Sequence, residues 1–256
     1  MKMLVVLPVR LNSSRLPQKP LQLILGKPLL QRMVEEVLAM DLGAQHMVVA
    51  ADSAEICVAV ESWNGCGGMD VVLVDAPCRN GTERVARLFA QCPQYRDVDV
   101  VVNIQADQLL LPREAVLDAA AMVMDKGYPI GTVAVPQVIC YDPYPMPHAV
   151  EVLVDVAGRC LGFWRVEAWN DEVVWAAPFV KVGRHVGVYA YSPEALRQWS
   201  RLSPTHEEMQ FGLEQLRPLQ AGVPIGAAWL HYAPPITIDT PADLQWLRQW
   251  AIKHLS

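Results

Sequence analysis

The chain has no Cys-x-x-Cys pair. Its six cysteines (Cys57, Cys66, Cys78, Cys92, Cys140, Cys160) are scattered, which fits reduced thiols and argues against a thiolate zinc site. It has no long basic run either, and its net charge is −6, so duplex nucleic acid would meet no electrostatic footprint. No apolar run approaches the ~20 residues that span a bilayer. The opening "MKMLVVLPVR" follows its lysine with a short apolar run, too little for the core of a secretory signal. A cytoplasmic protein with no membrane insertion is expected. No glycine–lysine phosphate loop and no G-x-G-x-x-G follows the first apolar run, which weakens the two commonest explanations for nucleotide binding. Charged residues make up 19% of the chain and hydrophobic residues 52%, which excludes disorder. The 256 residues suffice for one large domain with a substantial core.

What is present is a run of strand–helix units. "MLVVL" (3–7), "MVVAA" (47–51), "VVLV" (71–74), "VVVNIQ" (100–105) and "IGTVAV" (130–135) are nearly continuous apolar stretches, as strands buried on both faces of a parallel sheet require. Helices are predicted from Pro28 as first helical residue, near Ala54–Ser62 and Gly81–Cys92, and after Pro112. Alternation of this kind implies right-handed crossovers and a doubly wound, mostly parallel α/β sheet. Ligands bind such sheets beyond the carboxyl ends of the strands. After about residue 140 the pattern changes. "AVEVLVD", "VAG" and "RCLGFWR" read as a β-hairpin and "GRHVGVYAY" as another strand, an added antiparallel segment. "YDPYPMPHAV" reads as a rigid connection. Helices are expected at Ser192–Leu202 and Glu207–Ala221, a strand in "IGAAWLHY", and a closing helix after Pro241.

Three stretches carry chemistry. "PVRLNSSRLPQKPL" (Pro8–Leu21) gathers Arg10, Arg15 and Lys19 at the carboxyl end of the first strand, where they and the backbone amides can surround a phosphate chain; a solvated proline-rich turn is the alternative. In "VVVNIQADQ", Asp107 closes a strand, where a carboxylate can hold Mg²⁺ against bound phosphates or merely make a turn. In "ITIDTPADL", Asp239 reads as the cap of the final helix or as a second carboxylate converging on the same metal. Gly81 and Thr82 open a helix in "CRNGTERVARL". His185 and Tyr189 lie four apart in a strand and so share a face, where a buried, hydrogen-bonded histidine is the common outcome. Glu214 and Gln215 lie in a helix-like run as ordinary polar-face candidates.

Taken in order, "PVRLNSSRLPQKPL" with "GKPLL", "VVAADSAEI", "NGTERVA", "VNIQADQ", "RHVGVYAY", "LEQLRPLQAG" and "DTPADL" resemble the 3-deoxy-manno-octulosonate cytidylyltransferases, the CMP-Kdo synthetases. The resemblance covers nearly the whole chain. It implies a fold of the nucleotide-diphospho-sugar transferase type, a single domain over 1–256, and a homodimer to which a β segment near 140–192 contributes. It implies transfer of CMP from CTP to the anomeric hydroxyl of a 3-deoxy-2-keto sugar acid, with pyrophosphate released, in the service of lipopolysaccharide synthesis. Carried over residue by residue, Pro8, Arg10, Ser13, Arg15, Lys19, Gly81 and Gln105 would bind the nucleotide. Lys19, Asp107 and Asp239 would be catalytic, the two aspartates holding Mg²⁺. Gln105, Arg165, His185, Tyr189, Glu214 and Gln215 would bind the sugar acid, Arg165 facing its carboxylate.

The chain departs from the family pattern at several points. Ala106, Gln108 and Leu109 stand where a glycine, a carboxylate and a proline are usual. His148 and Glu151 replace an asparagine and a lysine, Trp164 adjoins Arg165, Cys78 and Asn80 precede Gly81, and Phe211 replaces a glutamate. The changes gather in the sugar half. They suggest an acceptor other than Kdo, for which Glu151 could pair with an amino group. An inactive regulatory homologue and a transferase for a sialic-acid-like sugar are the competing readings.

Overall fold

The computed structural model describes residues 1–63, 67–136, 149–165, 180–231 and 236–254. Cys66, Cys140, His148 and the proline-rich stretch before it lie outside the described residues. In chain order the first elements are β1 (Met3–Val9), β2 (Leu23–Ile24), β3 (Lys27–Pro28), α1 (Leu29–Ala39), β4 (His46–Ala51), α2 (Ala54–Ser62), β5 (Asp70–Leu73) and α3 (Gly81–Gln91). Then come β6 (Val100–Ile104), β7 (Gln108–Leu109), α4 (Arg113–Met124), β8 (Ile130–Pro136), β9 (Val150–Asp155), β10 (Cys160–Arg165) and β11 (Val180–Tyr191). The last are α5 (Pro193–Trp199), α6 (His206–Phe211), α7 (Leu216–Gln220), β12 (Ile225–Trp229), β13 (Ile236–Thr237) and α8 (Pro241–His254). Within the span read as one domain, the chain divides into two compact units. One comprises Met1–Val98, Asn103–Arg113 and Pro235–Ser256, the other Asp99–Val102 and Glu114–Pro234.

In the first unit β1, β4 and β5 pair in parallel. All seven residues of β1 are buried, which is why its sequence is apolar without alternation. Leu29, Leu30, Met33, Val34 and Val37 give α1 a buried stripe, each side chain contributing about 1.5–3 kcal/mol over leaving it exposed. The helix starts one residue later than expected. Pro28 is its N-cap, with an extended ψ of 145°, because it is still paired with Leu23 in a small hairpin. Leu25 and Gly26 turn that hairpin with φ of 46° and 77°, the double left-handed geometry of a tight β-turn.

The second unit is the added antiparallel structure. β11 pairs with both β9 and β8, and β10 with β9, all antiparallel, while β12 runs parallel to β8. The β9–β10 turn is held by Asp155, whose Oδ1 accepts from the N–H groups of Ala157 and Arg159 at 2.8 and 2.9 Å. The predicted helix over Glu207–Ala221 is two helices. Gly212 ends α6 in the left-handed conformation, φ 63°, a stop that glycine makes at low cost. The chain is therefore mixed α/β, with a parallel core in one unit and antiparallel strands in the other.

Candidate active site

β1 delivers the segment Pro8–Leu21 at its carboxyl end, and the Leu11 N–H donates to Asp52 Oδ1 at 2.9 Å, tying the segment to the end of β4. Gln18 then takes a left-handed conformation, φ 49°, and Lys19–Leu21 form a single 3₁₀ turn. That turn aims Lys19 inward. Its Nζ donates to Asp107 Oδ2 at 2.7 Å and to Asp239 Oδ1 at 3.2 Å, and an Arg15 guanidinium nitrogen lies 3.1 Å from the same Asp239 oxygen. Burial alone would lower the pKa of the Lys19 ammonium, but the charges of Asp107 and Asp239 and their hydrogen bonds outweigh it and raise the pKa. The two aspartates, far apart in sequence, thus converge on one cation.

Two short pieces of backbone cause the convergence. β7 pairs with β13, Leu109 opposite Ile236 and Gln108 opposite Thr237. The Ile238 N–H also donates to the Asp107 carbonyl at 3.0 Å. This miniature ladder sets the loop after β6 beside the loop before α8. The capping alternative for Asp239 does not hold. Asp243 Oδ2 accepts from the N–H groups of Asp239 and Thr240 at 2.8 and 2.7 Å, and Thr240 Oγ1 accepts from the Asp243 N–H at 3.2 Å. Thr240 and Asp243 cap α8 between them, so the Asp239 carboxylate faces Lys19. The spacing Thr-x-x-Asp was legible as a capping signal and passed unread.

A cleft adjoins this cluster, lined in part by Pro8, Arg10, Ser13, Arg15, Lys19, Gly81, Gln105, Asp107 and Asp239. All the residues expected to bind a nucleotide therefore line one cleft. Arg84, from the first turn of α3, lines it as well and is only 5% exposed. Gly81 is there for space. A Cβ on it would lie 2.9 Å from Gln105 Nε2 and 3.2 Å from Pro8 Cγ, so glycine lets the Gln105 amide lie against the start of α3. Asn80 caps that helix through Oδ1, which accepts from the Glu83 N–H at 2.9 Å.

The expected sugar-binding residues other than Gln105 belong to the second unit. The His185 and Tyr189 rings are 5.3 Å apart and Phe163 meets His185 edge-on at 5.2 Å, so the shared-face expectation is met across a bulge in β11. Thr132 Oγ1 lies 2.9 Å from His185 Nε2 and donates to the Val188 carbonyl at 2.7 Å. A hydroxyl has one proton to give. Nε2 therefore carries the imidazole proton and Nδ1 is an acceptor. Burial pushes the His185 pKa down to about 3, and the ring is neutral. Tyr189 donates to Gln215 Oε1 at 3.1 Å, and burial, with Glu214 nearby, raises its phenol well above its usual range. Glu214 and Gln215 lie in the turn between α6 and α7, not within a helix. Arg165 reaches the same turn, its guanidinium donating to the Phe211 and Gly212 carbonyls at 3.2 and 3.4 Å. Below it Arg217 makes a two-point pair with Glu208 at 2.6 and 2.5 Å, both side chains buried. Glu151 is different. It lies opposite Trp164 and Arg184, whereas Phe163 and Arg165 lie opposite Val152 and Val150 and His185 follows Arg184. Alternation puts Glu151 on the other face of the sheet, which removes the argument that it receives an amino group of the sugar.

A family model described as cytidylyltransferase matches residues 4–225. The chain belongs to the cytidylyltransferase family. It is 39% identical over 249 residues to a 3-deoxy-manno-octulosonate cytidylyltransferase of Gemmatimonas aurantiaca, covering 95% of this chain and 92% of that protein. To the enzyme of the same name from Aeromonas hydrophila it is 34% identical over 252 residues, covering 97% and 98%. A solved structure of CMP:2-keto-3-deoxy-manno-octonic acid synthetase complexed with CTP is similar along its length, with a TM-score of 0.76, 28% identity and 99% of each chain covered. Among the described residues no helix of this cytidylyltransferase is long and apolar enough to cross a membrane.

Proposed function

We propose that this cytidylyltransferase joins CMP from CTP to the anomeric hydroxyl of Kdo or a closely related 3-deoxy-2-keto sugar acid. The anomeric hydroxyl loses its proton to water as its oxygen forms a bond to the α-phosphorus, the bond from that phosphorus to the bridging oxygen breaks, and pyrophosphate leaves. The names of the relatives support this reading. The observation that carries it is the convergence of Lys19, Arg15, Asp107 and Asp239 on one cleft. Phosphoryl chemistry of this kind depends on positioning and on neutralising charge spread over phosphate oxygens, and Arg10, Arg15 and Lys19 provide cations for it. Ser13 adds a hydroxyl donor.

Asp107 and Asp239 would hold Mg²⁺. The fit is good: two carboxylates already meet on a cation, and Mg²⁺ takes one or two carboxylates together with phosphate oxygens and water. Bound there, it supplies further charge neutralisation on the phosphates. Lys19 then exchanges its carboxylate partners for phosphate oxygens. Arg165, fixed by the α6–α7 turn, is the two-point donor for the sugar carboxylate, with neutral His185 and Tyr189 beside it. A homodimer built in part by the segment near 140–192, and a cytoplasmic role supplying lipopolysaccharide assembly, complete the proposal.

The test is pyrophosphate release with CTP, Mg²⁺ and a panel of Kdo, its 8-amino analogue and a sialic acid, run beside Asp107→Ala. Release with Kdo, reduced about 100-fold or more by the substitution, is expected. No release with any acid, together with no rise in melting temperature on adding CTP, would overturn the reading.

A further inference from the structure

Glu36 lies on α1 and does not line the cleft, yet its carboxylate reaches the loop that carries Asp107. Its Oε2 accepts the Leu110 N–H at 3.0 Å. Leu110 has φ of 61°, a conformation that costs a leucine about 1–2 kcal/mol and persists only where the surroundings impose it. Two restraints impose it here. On one side the β7–β13 ladder pairs Gln108 and Leu109 with the segment leading to Asp239. On the other is the carboxylate of Glu36. The loop from Asp107 to Leu110 is thus held at both ends, and the Asp107 side chain meets Lys19 at 2.7 Å.

We infer that Glu36 is a positioning residue for the transfer reaction, its ionised carboxylate clamping Leu110 so that Asp107 keeps its place beside Asp239. A charge-assisted hydrogen bond is about twice as strong as a neutral one, so the clamp is tightest when Glu36 is ionised. The charged group acting on Glu36 is Arg32, one turn before it on α1, and the Leu110 N–H faces it from the loop. Burial pushes the Glu36 carboxyl up to about 7, against which the Leu110 bond and Arg32 pull it down. The clamp therefore loosens as pH falls through neutrality. The inference rests on the transferase reading for its effect on rate, but the clamp itself does not.

The experiment compares the full chain with Glu36→Gln and Glu36→Leu over about pH 5.5–8.5, measuring pyrophosphate release and hydrogen exchange at the Leu110 amide. In Glu36→Leu the clamp is gone: kcat falls about tenfold to 100-fold, as for a small misplacement of a catalytic group, KM for CTP changes less than about twofold, and Leu110 exchange accelerates. Glu36→Gln keeps an acceptor for the N–H. It should restore most of the rate and lack the fall in activity below about pH 7 expected of the wild-type chain. The inference is overturned if Leu110 exchange is the same in all three folded proteins, or if Glu36→Gln keeps the wild-type pH profile. Faster Leu110 exchange in Glu36→Leu in a chain that releases no pyrophosphate would sustain the clamp and count against the transferase reading alone.

Discussion

The two units solve the problem of buried polar groups in opposite ways. In the first, Lys19 and Arg15 are the counter-ions of Asp107 and Asp239, and full charges cancel one another at the carboxyl ends of parallel strands. In the second, His185 and Tyr189 are kept neutral by burial, and Thr132 and Gln215 satisfy them one bond at a time. A site made of cancelling charges must exchange partners when a polyanion enters. A site made of neutral, directional bonds needs no such exchange and is preorganised. The first arrangement suits phosphates and a metal, the second a sugar with many hydroxyls.

The contrast breaks first where the second unit does contain a charge pair. Arg217→Met would leave Glu208, which is 6% exposed, as an uncompensated buried carboxylate and should cost about 3–5 kcal/mol. Denaturant unfolding measures this; a loss under about 1 kcal/mol would mean that the pair is as dispensable as a surface bridge. Less should follow from Lys19→Met, about 1–3 kcal/mol near neutral pH, because its partners keep some contact with water. The Lys19 pKa is raised, so this stabilisation is present below its usual 10.5 and is lost as pH rises through the raised value. Melting temperatures near pH 7 and pH 11 read it, and the deficit of Lys19→Met should shrink at the higher pH. The smallest effect near neutral pH concerns His185. Its folded pKa of about 3 lies below the usual 6.5, so its contribution is present above 6.5 and drains away as pH falls towards 3. His185→Gln should flatten the acid side of the stability curve, and an unchanged curve would refute the neutral assignment.

Much of this was legible in the sequence, and the limits have physical causes. The apolar runs at 3–7, 47–51, 71–74, 100–105 and 130–135 gave strands close to those found; four of these strands are mostly buried, where little else is tolerated, whereas β5 is exposed or half-buried along its length. The cleft residues were named because cations and carboxylates stand out in apolar surroundings. The capping of α8 by Thr240 and Asp243 was missed because Asp239 satisfied the same local rule. The break at Gly212 was missed because the apolar spacing on both sides still suits a helix. Glu36 had no local signal at all: its partner is a backbone N–H 74 residues away, and only the packed chain brings the two together.

The ladder of β7 on β13 has a consequence for how the chain acquires its activity. Lys19 and Asp239 are 220 residues apart, and the loop that their meeting closes is among the longest the chain can make. Closure of such loops is what slows folding. On the ribosome, the opening segment and the Asp107 loop emerge and can fold long before Asp239 exists. Until the last strand docks, Lys19 has one carboxylate instead of two, and the cluster is incomplete.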